Sequence, residues 1–204
     1  MSAKSVDILV IGGGIHGTAI ARDAAGRGLK VLLAEKDDYA SHTSSASSKL
    51  AHGGLRYLEH MEFGLVRESL TERAGLIKTA PHLVFPLKFL LPIFDWQKRS
   101  AWFVHAGLAL YDLLSHGDGM PASGRLAQDQ VKALPHLRQD HLDAVLHYHD
   151  AHADDARLTL SAAIDARARG ADVANRRSVT AIAPQQDGYR VGLTEPGASY
   201  DVDA

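Results

Sequence analysis

Cysteine is missing altogether from the 204 residues, which excludes disulfides, thiolate metal sites and a cysteine nucleophile. Nothing therefore points to an oxidising compartment, and the cytoplasmic side is the default. No uninterrupted apolar stretch reaches the roughly 18–20 residues that a membrane-spanning helix needs. The N-terminal apolar run ends in glycines without a cleavage site, as a strand does and a signal peptide does not. A protein lying on a membrane surface stays open. An excess of one charge is also lacking: 22 basic residues stand against 24 acidic ones, a net charge of −2. There is thus no general electrostatic pull toward nucleic acid or a strongly anionic surface. What the chain has in quantity is apolar residues, 46%, enough for a sizeable core in one domain or one and a half.

Residues 5–35 read as strand, helix and strand with a right-handed crossover. Residues 6–11 (VDILVI) form a near-continuous apolar run, the pattern of a strand buried on both faces of a parallel sheet. In 15–27, Gly17, Ile20, Ala21, Ala24 and Ala25 recur at helical spacing and let a helix lie close to that sheet, until Gly26 and Gly28 stop it. Residues 30–35 (KVLLAE) supply the second buried strand. Further on, 58–79 predicts one helix or two, with Leu58, Met61, Leu65, Leu70 and Ile77 inward. Pro81, Pro86 and Pro92 predict a break of VFPLKFLLPIF into extended pieces. An apolar helix is expected over 101–114, a loop over 116–124, and an amphipathic helix over 154–169 with two aspartates at its positive end. One or two strands should follow, then a hairpin around the turn EPGA. The chain stops in an apparent strand, which reads as a fragment of a longer protein.

Gly12-Gly13-Gly14-Ile15-His16-Gly17 satisfies G-x-G-x-x-G between a buried strand and a small-residue helix. Gly12 permits the tight turn, Gly14 lets a pyrophosphate approach the backbone, and Gly17 allows close helix–strand packing. The helix N-terminus offers N–H groups and partial positive charge to the phosphates. Glu35 closes the next strand, placed to accept hydrogen bonds from an adenosine ribose. A nicotinamide enzyme would continue with more units of this kind, whereas this chain turns into TSSASSKLAHGGLRY at 43–57. That interruption favours FAD.

DILVIGGGIHGTAIARDAAGRGLKVLLAEKDD, then TSSASSKLAHGGLRYLEHMEFGLVRESLTERAGLIKTAPHLVFPL, and later DDARLTLSAAIDARARGADV, resemble the N-terminal part of FAD-dependent glycerol-3-phosphate dehydrogenases. SSASSKLAHGGLRYLE is the specific part of the likeness. The resemblance implies an α/β, Rossmann-like FAD-binding domain of the glutathione-reductase/D-amino-acid-oxidase type, with part of an α+β substrate cap. It implies three regions: 1–80 with the βαβ unit and serine-rich flavin segment, 81–150 as substrate cap, and 151–204 returning to the FAD-binding domain. It further implies oxidation of sn-glycerol 3-phosphate to dihydroxyacetone phosphate, electrons passing to a membrane quinone or, in an oxidase branch, to oxygen. Peripheral association with the inner or plasma membrane goes with the quinone branch, and a homodimer is compatible with these readings.

Such chemistry needs a hydride donor carbon near flavin N5, a base for the hydroxyl proton and a cationic clamp for the phosphate. Thr43, Ser44, Ser45, Ser47 and Ser48 can donate to pyrophosphate or flavin oxygens, with charge from Lys49. Gly53 and Gly54 let the backbone pass under a flavin ring. The cofactor set is therefore Gly12, Gly14, Ile15, Gly17, Glu35, Lys36, Thr43, Ser44, Ser45, Ser47, Lys49, Leu50, Gly53 and Gly54, joined through the resemblance by Val179. On the substrate side, His52 is an acid–base group or a substrate or flavin contact, Arg56 offers a planar fork to phosphate, and Tyr57 a neutral donor beside it. His147-Tyr148-His149-Asp150-Ala151-His152 has the composition of a metal site. Strand alternation, however, puts His147 and His149 on one face and Tyr148 and Asp150 on the other, and an edge strand ahead of the next helix is the reading that remains. Phe85 to Leu114 carries both tryptophans and basic residues amid leucines, suited either to a cap core or to a membrane interface. Two rivals remain: a flavin oxidase of glycine or sarcosine type, which would need a carboxylate clamp in place of a phosphate site, and a non-catalytic nucleotide-binding module.

Overall fold

A computed structural model of the chain describes residues 4–115 and 119–204. In chain order it contains β1 (Lys4–Ser5), β2 (Ile8–Ile11), α1 (Ile15–Gly26), β3 (Val31–Ala34), β4 (Leu50–Ala51), α2 (Phe63–Thr79), β5 (Val84–Phe94), α3 (Ala101–Leu114), β6 (Gly124–Arg125), α4 (Gln128–Lys132), β7 (Leu142–Ala153), α5 (Asp155–Ala168), β8 (Asp172–Ala174), β9 (Ser178–Gln185), β10 (Gly188–Glu195) and β11 (Ala198–Asp203). Part of the loop expected over 116–124 lies outside the described residues. The chain divides into two compact units, residues 1–49 with 154–204 and residues 50–153. The sequence expects changes after 80 and 150; the structure places 50–80 with the second unit because β4 pairs with β7 there.

The first unit is built around β3, whose four residues are all buried because successive side chains serve two cores. Val31 and Leu33 meet Ala21, Ala24 and Ala25 of α1 and Ala166 of α5. Leu32 and Ala34 meet Val191, Leu193 and Val202 of the β9–β10–β11 meander. β2, β3 and β8 are parallel. Among the described residues β2 is an edge strand and Ile11 is 57% exposed, so β3 is the doubly buried strand and β2 is not. Ile20 is also exposed, since the face of α1 that packs carries Thr18, Ala21, Ala24 and Ala25. The expected hairpin is present, with Thr194 opposite Ser199 and Gly197 in the left-handed region at φ +85°.

The second unit is an antiparallel sheet, with α2 and α3 contributing to its apolar clusters. Here the structure takes the second of the two readings of 58–79 and corrects three expectations: the inward placement of Met61 and Leu65, the break of VFPLKFLLPIF, and the edge strand at 147–152. The 58–79 helix is two elements: a 3-10 segment over Leu55–His60, then α2, separated by Met61 at φ +57°. The break resets the helical phase, so Val66, Leu70 and Arg73 are buried while Met61 and Leu65 stay exposed. β5 runs unbroken through Pro86 and Pro92, which is possible because among the described residues it is an edge strand paired only with β7. β7 is not an edge strand: it pairs with β5 on one side and with β4 and β6 on the other.

Candidate flavin and substrate residues

In the first unit, β2 ends at Gly12, whose φ of +111° turns the chain into α1. Gly17 is required by contact: a Cβ there would stand 2.0 Å from the Gly12 carbonyl oxygen. The N-cap, Gly14, carries no capping side chain, and no acidic residue occupies the first turn of α1. The N–H of Ile15 donates instead to the Ser44 hydroxyl at 2.9 Å. The 3-10 turn Thr43–Ser45 thus brings a neutral oxygen to a helix terminus that favours anionic oxygens. Glu35, 7% exposed, accepts from the Gly13 N–H at 2.6 Å and the Asp37 N–H at 2.7 Å. One bond goes to each carboxylate oxygen, so the group is held in place with acceptor capacity left over. A cavity of about 180 Å³ lies among Gly14, Glu35, His42, Thr43 and Ser44.

The rest of the serine segment is tied to α5. Ser47 donates to Asp155 at 2.7 Å, and the Lys49 ammonium bonds the same carboxylate at 2.5 Å and the Ser45 carbonyl at 3.1 Å. Burial alone would raise the Asp155 carboxyl, but the Lys49 and Ser47 bonds and the Ala156 N–H outweigh it and bring it to about 2. Val179 packs against the Leu32, Val191 and Leu193 cluster. Lys36 is exposed beside Glu35.

In the second unit, Leu50 pairs with His152 and the chain then turns at Gly53 and Gly54. The Gly53 N–H donates to the Tyr111 hydroxyl at 2.8 Å and to Asp150 at 3.3 Å. The Tyr111 hydroxyl donates to the Asp150 carboxylate at 3.1 Å, and Arg73 bonds that carboxylate at 2.5 Å. All three side chains are almost fully buried. Desolvation, with the Asp150 charge beside it, raises the Tyr111 phenol, which therefore stays protonated. A Cβ on Gly53 would stand 2.3 Å from Leu70 Cδ2 and 2.5 Å from the Tyr111 hydroxyl, so packing inside the unit already demands glycine there. Gly54 is in the left-handed region at φ +71°. Its N–H donates to His52 Nδ1 at 3.1 Å and its carbonyl accepts from the Tyr57 N–H at 2.8 Å. His52, Arg56 and Tyr57 are all exposed. No acceptor among the described residues engages the Arg56 guanidinium, whereas those of Arg73 and Arg177 are committed to buried or half-buried carboxylates.

Residues 7–204 match the protein family described as FAD dependent oxidoreductase. The chain belongs to that family. It is 48% identical over 171 residues to the glycerol-3-phosphate dehydrogenase of Synechocystis sp., a stretch covering 83% of this chain and 31% of that protein. It is 47% identical over 189 residues to the D-erythritol 1-phosphate dehydrogenase of Brucella abortus, covering 92% of this chain and 37% of that one. The solved structure of the glycerol-3-phosphate dehydrogenase from Bacillus halodurans complexed with FAD superposes on the whole chain with a TM-score of 0.71, at 32% identity and over 34% of its own length. The chain spans about a third of the length of the curated relatives it matches.

The expected fold and cofactor are thus those of the family, and the residues present fit FAD. A glycine-walled helix terminus whose first turn carries no acidic residue suits a pyrophosphate, and the anchored Glu35 suits a ribose. The structure gathers Gly12, Gly14, Ile15, Gly17, Glu35, Thr43 and Ser44 at one place in the first unit. It directs Ser47 and Lys49 to Asp155, and it places Leu50, Gly53 and Gly54 with His52, Arg56 and Tyr57 in the second unit. Arg73 and Tyr111 were missed by the sequence reading, Asp155 entered it only as one of two aspartates at a helix N-terminus, and Asp150 only as a candidate metal ligand. The one available signal was the spacing of Val66, Leu70 and Arg73, which puts an arginine on the inward face of α2.

Proposed function

We propose that this chain supplies the FAD-binding part and a portion of the substrate-binding part of an enzyme that oxidises sn-glycerol 3-phosphate to dihydroxyacetone phosphate. The observation that carries this reading is Arg56: an exposed guanidinium with no carboxylate partner among the described residues, one residue from Tyr57 and four from His52. A free planar cation suits a phosphate dianion, and because the same fork would also clamp a carboxylate, the choice between the two rests on the relatives. The names of the relatives favour the same class, since both are dehydrogenases of a polyol phosphate. The amine-oxidase alternative has no such support. The erythritol 1-phosphate relative supports a second polyol phosphate as substrate, because the phosphate contact would be shared.

In this reading Gly14, Ile15 and Ser44 receive the pyrophosphate and Glu35 the ribose. Arg56 and Tyr57 hold the substrate phosphate, and His52 stands at the reacting hydroxyl. Bound FAD supplies the acceptor for the hydride leaving the alcohol carbon, while the hydroxyl proton leaves to a base. Transfer of the electrons to a quinone at the cytoplasmic membrane surface is supported by α3. Trp102 is 77% and Leu113 69% exposed, and an apolar groove of about 400 Å³ runs along Leu55, Leu58, Trp102 and Phe103. Among the described residues no helix is long and apolar enough to cross a membrane, so contact through this face would be interfacial.

The test is the visible spectrum of the full-length protein. Flavin absorbance that is bleached by glycerol 3-phosphate or erythritol 1-phosphate, and not by glycine or sarcosine, is the expected result. Bleaching by the amino acids alone would transfer the chain to the amine oxidases. Arg56→Ala should chiefly raise KM for the polyol phosphate, and an unchanged KM would remove Arg56 from the phosphate site.

A further inference from the structure

A buried arginine, aspartate and tyrosine in one cluster are expensive to desolvate, and such a group is weak evidence of added stability. Their bonds have a direction. The Gly53 N–H points into the Tyr111 oxygen, so the Tyr111 proton must go to Asp150, whose charge is balanced by Arg73. Gly53 is thereby fixed, and the next peptide N–H, that of Gly54, reaches back 3.1 Å to His52 Nδ1. A backbone N–H always carries its hydrogen, so the Nδ1 that accepts it is bare and the proton of a neutral imidazole sits on Nε2.

We propose that Arg73, Asp150 and Tyr111 are positioning residues that act through the Gly53–Gly54 turn to hold His52 as its Nε2–H tautomer, a hydrogen-bond donor. His52 then presents a donor to an oxygen in the site. Its only bare nitrogen is turned inward onto Gly54, so His52 can take up a proton only by giving up that bond. The base for the substrate hydroxyl is accordingly another group. That this donor faces substrate rests on the proposed function above; the tautomer itself rests on the second unit alone.

The test is nitrogen-15 NMR of the histidine-labelled chain at neutral pH, where one-bond and two-bond couplings separate the two tautomers. Wild type should show His52 with a pyridine-like Nδ1 and a pyrrole-like Nε2, and Gly53 should be a protected amide. Tyr111→Phe removes the nearer of the two Gly53 acceptors while keeping the ring, leaving Asp150 at 3.3 Å. It should mix the His52 tautomers and speed Gly53 amide exchange roughly tenfold or more, the loss of about one buried hydrogen bond. Leu70→Val loosens the same core without touching a hydrogen bond and should leave the His52 tautomer unchanged. A wild-type His52 protonated on Nδ1 overturns the proposal, whether or not Tyr111→Phe folds. So does a Tyr111→Phe chain that keeps the wild-type tautomer and exchange rate. In the full-length enzyme Tyr111→Phe should lower kcat with KM for the polyol phosphate little changed. Should no polyol phosphate bleach the flavin, the proposed function fails while the tautomer result stands or falls by itself.

Discussion

Gly53 has two candidate reasons for being glycine, and one substitution separates them. A Cβ at this position would lie 2.3 Å from Leu70 Cδ2, 2.6 Å from Leu70 Cγ and 2.5 Å from the Tyr111 hydroxyl. Both neighbours are fully buried, at 2% and 1% exposure, so neither has room to retreat. Overpacking of this kind costs about 1–3 kcal/mol. Displacing Tyr111 from the Gly53 N–H adds about 0.5–1.5 kcal/mol for the hydrogen bond lost, the Asp150 carboxylate at 3.3 Å remaining as the second acceptor. Gly53→Ala should therefore destabilise the second unit by roughly 2–4 kcal/mol with no ligand present. Leu70→Val, which shortens the side chain facing Gly53, should cost about 1–2 kcal/mol alone. The double variant should be less destabilised than the sum by about 1–2 kcal/mol, because each change relieves the other. Both tryptophans, Trp96 and Trp102, lie in the second unit. Urea unfolding followed by tryptophan fluorescence thus reports that unit. If Gly53→Ala unfolds with wild-type stability, packing is not what forbids a side chain, and the approach of a flavin ring becomes the remaining reason. If the three variants are strictly additive, Leu70 is not the obstacle.

Three further predictions concern the first unit and α2. The Asp155 carboxyl is held at about 2 against an ordinary 3.8, so its contribution is complete above pH 3.8 and is lost as pH falls through 2. Lys49 is half exposed, which discounts the contribution to about 1–2 kcal/mol; Asp155→Asn should cost that much at pH 6 and almost nothing at pH 2, and a carbon-13 titration midpoint near 3.8 would dismiss the clamp. Among the α1 and α2 glycines the direction should reverse: Gly17→Ala, blocked by backbone at 2.0 Å, should cost about 2–4 kcal/mol and abolish FAD binding. Gly75→Ala in α2 meets nothing within 4 Å and should stabilise by about 0.5–1 kcal/mol in thermal melts.

How much of this was readable from sequence depends on how far apart the cooperating residues lie. The turn at Gly12, the close approach at Gly17 and the position of Glu35 belong to one strand–helix–strand unit, and local pattern carries them. The β10–β11 hairpin is local too, and EPGA announced it. The edge position of β5, which makes Pro86 and Pro92 harmless, is a property of sheet order and leaves no mark on the strand itself. Nor does the reset of helical phase at Met61, because a non-glycine residue at positive φ has no sequence signature.

The site residues follow the same rule in sharper form. Alternation along β7 correctly separated His147 and His149, whose rings lie 6.0 Å apart, from Tyr148 and Asp150 on the Tyr111 side. What alternation could not supply is the partner, since Asp150 meets Tyr111 at 39 residues' separation, Arg73 at 77 and Gly53 at 97. A carboxylate in HYHDAH therefore looked like a member of a local metal set. Its actual neighbours come from α2, α3 and the GG turn. The motif LAHGGLRY displays exposed groups suited to chemistry, His52, Arg56 and Tyr57, but the geometry of its turn is fixed from below by side chains that the motif does not contain. Substitutions at Arg73, Tyr111 or Asp150 should then alter the behaviour of His52 without touching any residue a motif search would flag.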